Sequence, residues 1–161
     1  MGKTVICPGS FDPLTIGHLD IIKRSSKLFD NVIVVVMKNF NKNSGSFTVE
    51  ERMDFIKRCT EDLPNVTVDS HLGLLVDYAR EKGASAVVKG LRAISDFDDE
   101  FRQALTNQQL NSELETIFLT TSAEYMFLSS SVVKEVCKLG GDVSNFVPTE
   151  ICDDIIERLS K

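Results

Sequence analysis

The stretch Val32-Ile33-Val34-Val35-Val36-Met37 decides the fold, because it is apolar at every position. A strand with one solvated face alternates apolar and polar side chains, whereas a strand that is covered on both faces does not. The stretch therefore predicts a strand buried on both faces. Four other β-rich runs accompany it along the chain, at residues 4–7, 66–69, 86–89 and 116–120.

Segments with helical spacing separate these runs. Ile22 and Phe29 lie seven residues apart, and Thr48 and Glu51 have the spacing of a capping box at a helix start. Strands that alternate with helices of this length predict βαβ units, and right-handed crossovers favour a doubly wound, Rossmann-like sheet. We therefore expect one α/β domain over residues 1–161, with a five-stranded parallel sheet and helices on both faces.

Composition narrows the classes of function. The chain has 24 acidic and 18 basic side chains and a formal net charge of −6, which argues against nucleic acid as a general partner. No apolar run approaches the roughly 20 residues that cross a bilayer. The apolar run at residues 5–7 is too brief for a signal peptide, so we expect no membrane partner.

The cysteines Cys7, Cys59, Cys137 and Cys152 include no CxxC pair and have no histidine at metal-ligand spacing. We interpret all four as free thiols that serve as small apolar core residues. Free thiols without an export signal indicate a reducing compartment, so we expect a cytoplasmic protein.

The loop after the first predicted strand is the strongest candidate for a binding site. It reads Pro8-Gly9-Ser10-Phe11-Asp12-Pro13-Leu14-Thr15-Ile16-Gly17-His18 and leads into the first helix. In a doubly wound sheet ligands bind beyond the carboxyl ends of the strands, and a helix N-terminus attracts anions. Ser10 and His18 add a hydroxyl and an imidazole, although the loop lacks the glycines of GxGxxG and GxxxxGK[ST]. The same residues also suit an ordinary strand–helix turn with a surface histidine.

Thr15-Ile16-Gly17-His18 resembles the [HT]xGH signature of the nucleotidyltransferase superfamily, and residues 8–18 as a whole resemble the bacterial phosphopantetheine adenylyltransferase family. Further blocks similar to that family follow in order at residues 47–52, 89–97, 113–119 and 129–135. The resemblance implies an enzyme of coenzyme A biosynthesis that transfers the adenylyl group of ATP to 4′-phosphopantetheine, giving dephospho-coenzyme A and pyrophosphate. The acceptor phosphate would attack the α-phosphate directly, so that no enzyme nucleophile is required.

Four residues receive catalytic roles from the resemblance. His18 would stabilise charge at the α-phosphate, and Ser10 would orient the substrate phosphate. Lys42 would contact the acceptor phosphate, and Arg92 would bind the phosphates of ATP. From the residues alone, Lys42 lies in the polar loop at residues 38–46, where a solvated lysine is usual.

The resemblance also implies two sets of binding residues. The ATP-binding set is Ser10, Phe11, His18, Gly90, Leu91, Arg92, Glu100, Tyr125, Met126, Phe127, Leu128, Ser129, Ser130 and Ser131. The substrate-binding set is Ser10, Lys42, Leu74, Leu75 and Lys89. Lys89 stands where the family usually has arginine, and we expect it to bind phosphate as a point charge with altered geometry.

Other residues keep simpler interpretations. Asp96 and Asp98 favour the positive end of a predicted helix. Asp99 stands where the family often has an aromatic residue, so it receives no role. His71 matches no family role and is interpreted as a surface histidine. Ser129 suits a plain helix N-cap as well as an ATP contact.

The implied cofactor and partners follow from the same resemblance. The sequence shows no paired-carboxylate metal site, so Mg²⁺ is expected to arrive with ATP, held largely by phosphate oxygens and water. The resemblance further implies a homohexamer. It also implies feedback inhibition by coenzyme A, which shares the adenylyl-pantetheine body of the product.

Two alternatives stay open on the sequence alone. One is another small nucleotidyltransferase, such as a cytidylyltransferase or a nicotinamide mononucleotide adenylyltransferase, and residues 89–97 separate these better than the TxGH sequence does. The other is a non-enzymatic nucleotide-binding module on the same sheet, because fold alone does not define function. The joint presence of the four catalytic candidates argues against the module, since a sensor needs affinity but no transition-state donors.

Overall fold

The computed structural model describes residues 2–38 and 45–161, apart from the side chains of residues 94 and 95. Within this part of the chain, one sheet contains β1 (Thr4–Gly9), β2 (Asn31–Met37), β3 (Val66–His71), β4 (Ala86–Leu91) and β5 (Glu115–Thr120). All neighbouring strands are parallel, in the order β3-β2-β1-β4-β5. This order confirms the expected doubly wound α/β fold with a five-stranded parallel sheet.

Six α-helices occur in the described part of the chain. They are α1 (Ile16–Leu28), α2 (Val49–Cys59), α3 (Leu75–Lys82), α4 (Ile94–Leu110), α5 (Ser130–Lys138) and α6 (Cys152–Leu159). Thr48 begins α2 with the predicted capping box: its side chain accepts from the Glu51 amide at 3.1 Å, and the Glu51 side chain accepts from the Thr48 amide at 2.8 Å. None of these helices has the length and apolar character that a membrane span requires.

Strand β2 is buried on both faces, as its sequence predicts. Val34 and Val36 belong to the larger apolar core, which also contains residues of α1, α2, α5 and α6. Val35 belongs to a smaller core, together with Ile6 of β1 and Tyr78 of α3. Helices therefore cover the sheet on both sides, which leaves its strand ends as the place for a ligand.

The four cysteines are buried with free thiols, which confirms their interpretation as core residues. Burial raises the pKa of the Cys7 thiol to about 11 and that of Cys59 to about 12. Because the thiolate is the reactive form, these side chains are unreactive at neutral pH.

The strands extend further than the sequence predicts, and their ends form the site. Strand β1 reaches Gly9 because every residue from Thr4 onward pairs with β2. It pairs with β4 only at Val5 and Ile6. Pro8, which lacks an amide hydrogen, lies in the part of β1 that does not pair with β4. The two strands therefore diverge at their carboxyl ends, where the winding direction of a doubly wound sheet reverses.

Two helix starts near the end of the chain depend on local features. Helix α5 begins at Ser130, because the Ser129 side chain caps it and accepts from the Val132 amide at 3.2 Å. The last helix follows a 3₁₀ turn at Thr149–Ile151 and becomes α-helical only at Cys152. Helix boundaries of this kind depend on which side chain takes the cap position.

Candidate active site

A cavity of about 460 Å³ lies between the carboxyl ends of β1 and β4. Its wall contains the loop after β1, the end of β4, part of α4 and the segment before α5. It includes these sequence-predicted site residues: Ser10, Phe11, His18, Lys89, Gly90, Arg92, Glu100, Tyr125, Leu128, Ser129 and Ser130. The fold thus brings together groups that are far apart in the sequence.

Other predicted ATP-binding residues lie outside this wall. Leu91 is the half-buried last residue of β4, and Ser131 is exposed on α5. Met126 and Phe127 are exposed in the segment that leads to α5. Lys42, the predicted acceptor contact, lies outside the described residues.

His18 stands in the first turn of α1, and the N-cap residue Thr15 holds its ring. The Thr15 side chain accepts from the His18 amide at 3.2 Å, and the Thr15 amide donates to His18 Nδ1 at 3.0 Å. Because an amide N–H can only donate, Nδ1 is the accepting nitrogen and the neutral ring carries its proton on Nε2. Burial, together with the positive charges of Arg92 and Lys89, lowers the pKa of His18 to about 4. His18 is therefore a neutral hydrogen-bond donor at pH 7.

We expect the folded protein to show a His18 pKa of about 4 instead of the ordinary 6.5. Between these values the unfolded chain binds a proton that the folded chain excludes. The free energy of unfolding should therefore fall as the pH is lowered from 6.5 to 4. An NMR titration of the imidazole nitrogens measures the pKa, with a His71→Asn variant to assign the two rings. A His18 pKa near 6.5 would contradict the half-buried ring bound by Thr15.

Two cations enter the cavity from the end of β4, and each is paired with a carboxylate of α4. Lys89 Nζ lies 3.2 Å from Glu100 Oε2. Arg92 Nε lies 3.0 Å from Asp96 Oδ2, and Arg92 Nη1 donates to the Leu128 carbonyl at 2.7 Å. These contacts fix the directions of the two cationic groups, which can donate charge-assisted hydrogen bonds to an anion although each already has a carboxylate partner.

Gly90 lies between these cations and allows β4 to approach α1 closely. A Cβ at this position would lie 2.9 Å from Ile21 Cγ1. Non-bonded carbon atoms are at their optimal separation only at about 3.5–4.0 Å. A larger residue would therefore push β4 away from α1 beneath the cavity.

A second cavity, of about 440 Å³, adjoins the first. The two share part of their wall, including Ser10, Lys89 and Glu100. Leu75, the first residue of α3, lines the second cavity, whereas Leu74 is exposed outside both walls. Two ligands, one in each cavity, would therefore meet at Ser10 and Lys89.

Known proteins are similar to this chain over almost its whole length. The family model described as cytidylyltransferase-like matches residues 6–136. The chain is 50% identical over 159 residues to the phosphopantetheine adenylyltransferase of Caldanaerobacter subterraneus subsp. tengcongensis, covering 99% of each chain. The chain belongs to the phosphopantetheine adenylyltransferase family. A second relative of that name, from Alkaliphilus metalliredigens, is 53% identical over 159 residues, covering 99% of this chain and 98% of its own.

A solved structure outside the phosphopantetheine adenylyltransferase family shares the fold. The bifunctional NMN adenylyltransferase/ADP ribose pyrophosphatase from Francisella tularensis superposes with a TM-score of 0.73 at 16% identity, covering 100% of this chain and 51% of that one. At this identity the similarity concerns the fold alone. It agrees with the doubly wound α/β architecture described above.

In this member of the phosphopantetheine adenylyltransferase family, the serines before and in α5 hold the cavity wall together. Ser129 is the helix cap, and Ser130 Oγ donates to the Pro13 carbonyl at 2.8 Å. The amides of Ser130 and Ser131 belong to the first helical turn, where amides have no acceptor within the helix. They are therefore the groups at this helix start that suit an anion.

The sequence did not reveal several residues of the cavity walls. Ile21, Gln103 and Thr121 line the first cavity. Asp99, for which the family resemblance gave no role, lines both cavities. Ile21 follows His18 by three residues, so the helical period could have placed it on the same face. The positions of Gln103 and Thr121 depend on how α4 and β5 pack against the rest of the sheet.

His71 differs from the surface histidine that the sequence indicated. It ends β3, is half-buried, and its ring centroid lies 4.9 Å from that of Tyr78 on α3. The chain turns back over the ring at Gly73, where a Cβ would lie 3.2 Å from His71 Nε2. Among the described residues this nitrogen has no hydrogen-bond partner and is buried. Helix packing, which the local sequence does not show, buries the side chain.

Proposed function

We propose that this protein transfers the adenylyl group of ATP to 4′-phosphopantetheine, giving dephospho-coenzyme A and pyrophosphate. The observation that carries the proposal is the junction of two cavities at Ser10, Lys89 and Glu100. Adenylyl transfer requires two substrates whose reacting phosphates are held in contact. The relatives at 50% and 53% identity support the choice of 4′-phosphopantetheine as acceptor.

The first cavity suits ATP, and the second suits the acceptor. An oxygen of the acceptor phosphate attacks the α-phosphorus of ATP and forms a new P–O bond. The bond from the α-phosphorus to the bridging oxygen breaks, and pyrophosphate leaves with its electron pair. Because the attacking oxygen is already anionic, catalysis consists of positioning and charge stabilisation and needs no enzyme nucleophile.

The donor side of the site stabilises charge at the transferring group. His18 would donate its Nε2 hydrogen to the α-phosphate, where negative charge develops. Arg92, already oriented by Asp96 and the Leu128 carbonyl, would bind the phosphates of ATP. The amides at the start of α5 would add further donors to the leaving phosphates.

The acceptor side of the site has fewer described groups. Ser10 and Lys89 lie at the junction of the cavities and would bind the acceptor phosphate. Glu100 holds Lys89 at 3.2 Å and so sets the position of its ammonium group. Lys42 lies outside the described residues, and its role on the acceptor phosphate rests on the family resemblance.

We further propose that Mg²⁺ enters as its complex with ATP. Within residues 2–38 and 45–161, no three His, Cys, Asp or Glu side chains are grouped as metal ligands. The carboxylates of Asp96 and Glu100 are paired with Arg92 and Lys89. Phosphate oxygens and water would therefore hold the ion, which would neutralise charge on the departing pyrophosphate when it is bound.

The test measures pyrophosphate release from ATP and Mg²⁺ with 4′-phosphopantetheine, without an acceptor, and with nicotinamide mononucleotide. We expect pyrophosphate release only in the assay that contains 4′-phosphopantetheine as the acceptor. Release with nicotinamide mononucleotide alone would contradict the acceptor. Binding of ATP without release under any condition would favour the non-enzymatic module.

A further arm adds coenzyme A, which we propose as a feedback inhibitor because it shares the adenylyl-pantetheine body of the product.

Replacing Lys89 by arginine should leave turnover within about tenfold of the parent, because both side chains supply a positive charge to the phosphate. Arginine would also be able to keep the ion pair with Glu100. The measurement is the steady-state rate of pyrophosphate release, with the KM for each substrate. Complete inactivation would show that the pocket has adapted to the compact ammonium of lysine.

We also propose that the protein forms a homohexamer through the exposed apolar face of α4. Phe97, Phe101 and Leu105 are 39%, 45% and 47% exposed, and the rings of Phe97 and Phe101 stack with centroids 5.2 Å apart. Exposed apolar patches of this kind mark contact surfaces. The number of six copies rests on the family resemblance, so light scattering should give a mass of about six chains, and Phe101→Asp should reduce it. The control is Leu139→Asp, at a more exposed leucine just after α5 and outside the α4 face, which should not change the mass.

A further inference from the structure

Asp12 is buried beneath the first cavity and lines neither cavity. Its side chain is 8% exposed and forms an ion pair with Lys134 of α5 at 2.8 Å. The carboxylate also accepts from the amides of Ser46 and Phe47, each at 2.9 Å. Arg52 of α2 lies 3.4 Å away on another side. One carboxylate therefore joins the β1–α1 loop to α2, α5 and the segment that precedes α2.

Arg52 makes a second attachment to the same loop. Its Nη1 donates to the Ser10 carbonyl at 3.3 Å, and its Nε donates to the Phe47 carbonyl at 2.8 Å. The side chain is buried, so these hydrogen bonds are shielded from water. The loop is thus fixed at the residue before Phe11 and at the residue after it.

Phe11, between these two attachments, has a backbone conformation that is costly for its residue type. Its φ angle is +47°, in the left-handed region that bulky side chains rarely adopt. Such a conformation persists only where the surrounding structure fixes it. The buried ring of Phe11 packs edge-on against His18, with centroids 5.3 Å apart. The backbone of Phe11 therefore sets the surface on which the His18 ring rests.

We propose that Asp12 is a positioning residue for adenylyl transfer: with Lys134 and Arg52 it holds Phe11 in its left-handed conformation and so places Ser10 and His18. The proposal rests on the function proposed above. Asp12 touches no substrate in this arrangement and acts only through its neighbours.

The charges around Asp12 favour an ionised carboxylate. Burial alone raises the pKa of Asp12, but the hydrogen bond from Lys134 and those from the Ser46 and Phe47 amides outweigh it, with a contribution from Arg52, so the pKa lies below the ordinary value. Both cations are paired with it at neutral pH. Removing only the negative charge would leave Lys134 and Arg52 facing each other beneath the loop.

The test compares Asp12→Asn with the parent at a temperature at which circular dichroism shows both to be folded. We expect kcat to fall by about 10–10²-fold, as for a displacement of catalytic groups by about 1 Å, while the Kd for ATP stays within about threefold. The matched control is Asp69→Asn on β3. Its carboxylate also binds a tyrosine hydroxyl, a backbone amide and a lysine, but none of these partners belongs to the β1–α1 loop, so kcat should be unchanged.

A second variant decides the question if Asp12→Asn fails to fold. Lys134→Met removes one partner of the carboxylate and should lower kcat by about tenfold, again with ATP binding retained. Parental kcat in a folded Asp12→Asn variant, or in Lys134→Met if the first does not fold, would overturn the proposal. Equal losses of kcat and ATP affinity would overturn it too, because they indicate general damage to the site.

The same series separates this proposal from the proposed function. The parent is assayed with 4′-phosphopantetheine and with the control acceptor before any variant is compared. Pyrophosphate release with nicotinamide mononucleotide but not with 4′-phosphopantetheine would contradict the acceptor assignment. The Asp12 comparison would then use nicotinamide mononucleotide as the acceptor. Release with 4′-phosphopantetheine from both the parent and Asp12→Asn at the same rate would contradict the Asp12 role alone.

Discussion

Replacing His18 by alanine should lower kcat by about 10²–10³-fold, which is the usual loss when one preorganised donor to a developing charge is removed. The Thr15 amide occupies Nδ1, so Nε2 is the nitrogen that carries the hydrogen of the neutral ring. The Kd for ATP should change by less than about threefold, because the donor acts mainly on charge that develops in the transition state. Steady-state pyrophosphate release gives kcat, and calorimetric titration with ATP gives the Kd.

The controls for His18 distinguish a donor from a packing residue. His18→Asn keeps an N–H donor at a shorter reach and should recover part of the lost kcat. His71→Ala removes the other histidine of the chain, which packs against Tyr78 outside both cavities, and should leave kcat unchanged. A His18→Ala enzyme with parental kcat would remove His18 from the mechanism.

The sequence predicted the fold well because the decisive signals are local. The apolar run of β2 identifies a strand covered on both faces, and the spacing of Thr48 and Glu51 identifies the start of α2. The ends of the strands were less predictable, because they depend on pairing with a neighbour. Strand β1 continues to Gly9 through its partner β2, a contact that no property of Pro8 or Gly9 indicates.

The residues that line the candidate site were predictable where they lie close together in one loop or turn. Residues 8–18 and 89–92 together supply ten of the residues that line the first cavity. The protonation state of His18 was not predictable from the sequence. A capping box usually has Glu or Gln at the third helical position, so the spacing did not indicate that a histidine ring would accept the hydrogen bond there. Asp12 was missed because its contact with Lys134 joins residues 122 positions apart, which composition and spacing do not reveal.

Replacing Arg92 by methionine should lower kcat/KM for ATP by about 10²–10³-fold, which is the usual loss when one fixed donor to the charge of a reacting group is removed. The guanidinium joins Asp96 to the Leu128 carbonyl and lines the first cavity. Its loss would remove a positive group from the phosphates and leave the Asp96 carboxylate unpaired, where it repels them. The measurement is kcat/KM from initial rates at limiting ATP.

Three companion variants separate the contributions to that loss: the planar shape of the guanidinium, the unpaired Asp96 carboxylate, and the general effect of removing an arginine. Arg92→Lys keeps the charge but not the planar group that reaches Asp96 and Leu128 together, so it should fall between the parent and Arg92→Met. Adding Asp96→Asn to Arg92→Met should recover part of kcat/KM, because it removes the repulsion along with its source. Arg80→Met removes an exposed arginine that is paired with Asp77 at 3.0 Å, and it should leave kcat/KM for ATP unchanged. Parental kcat/KM in Arg92→Met would mean that ATP binds without this cation, and the donor site would then have to lie elsewhere in the cavity.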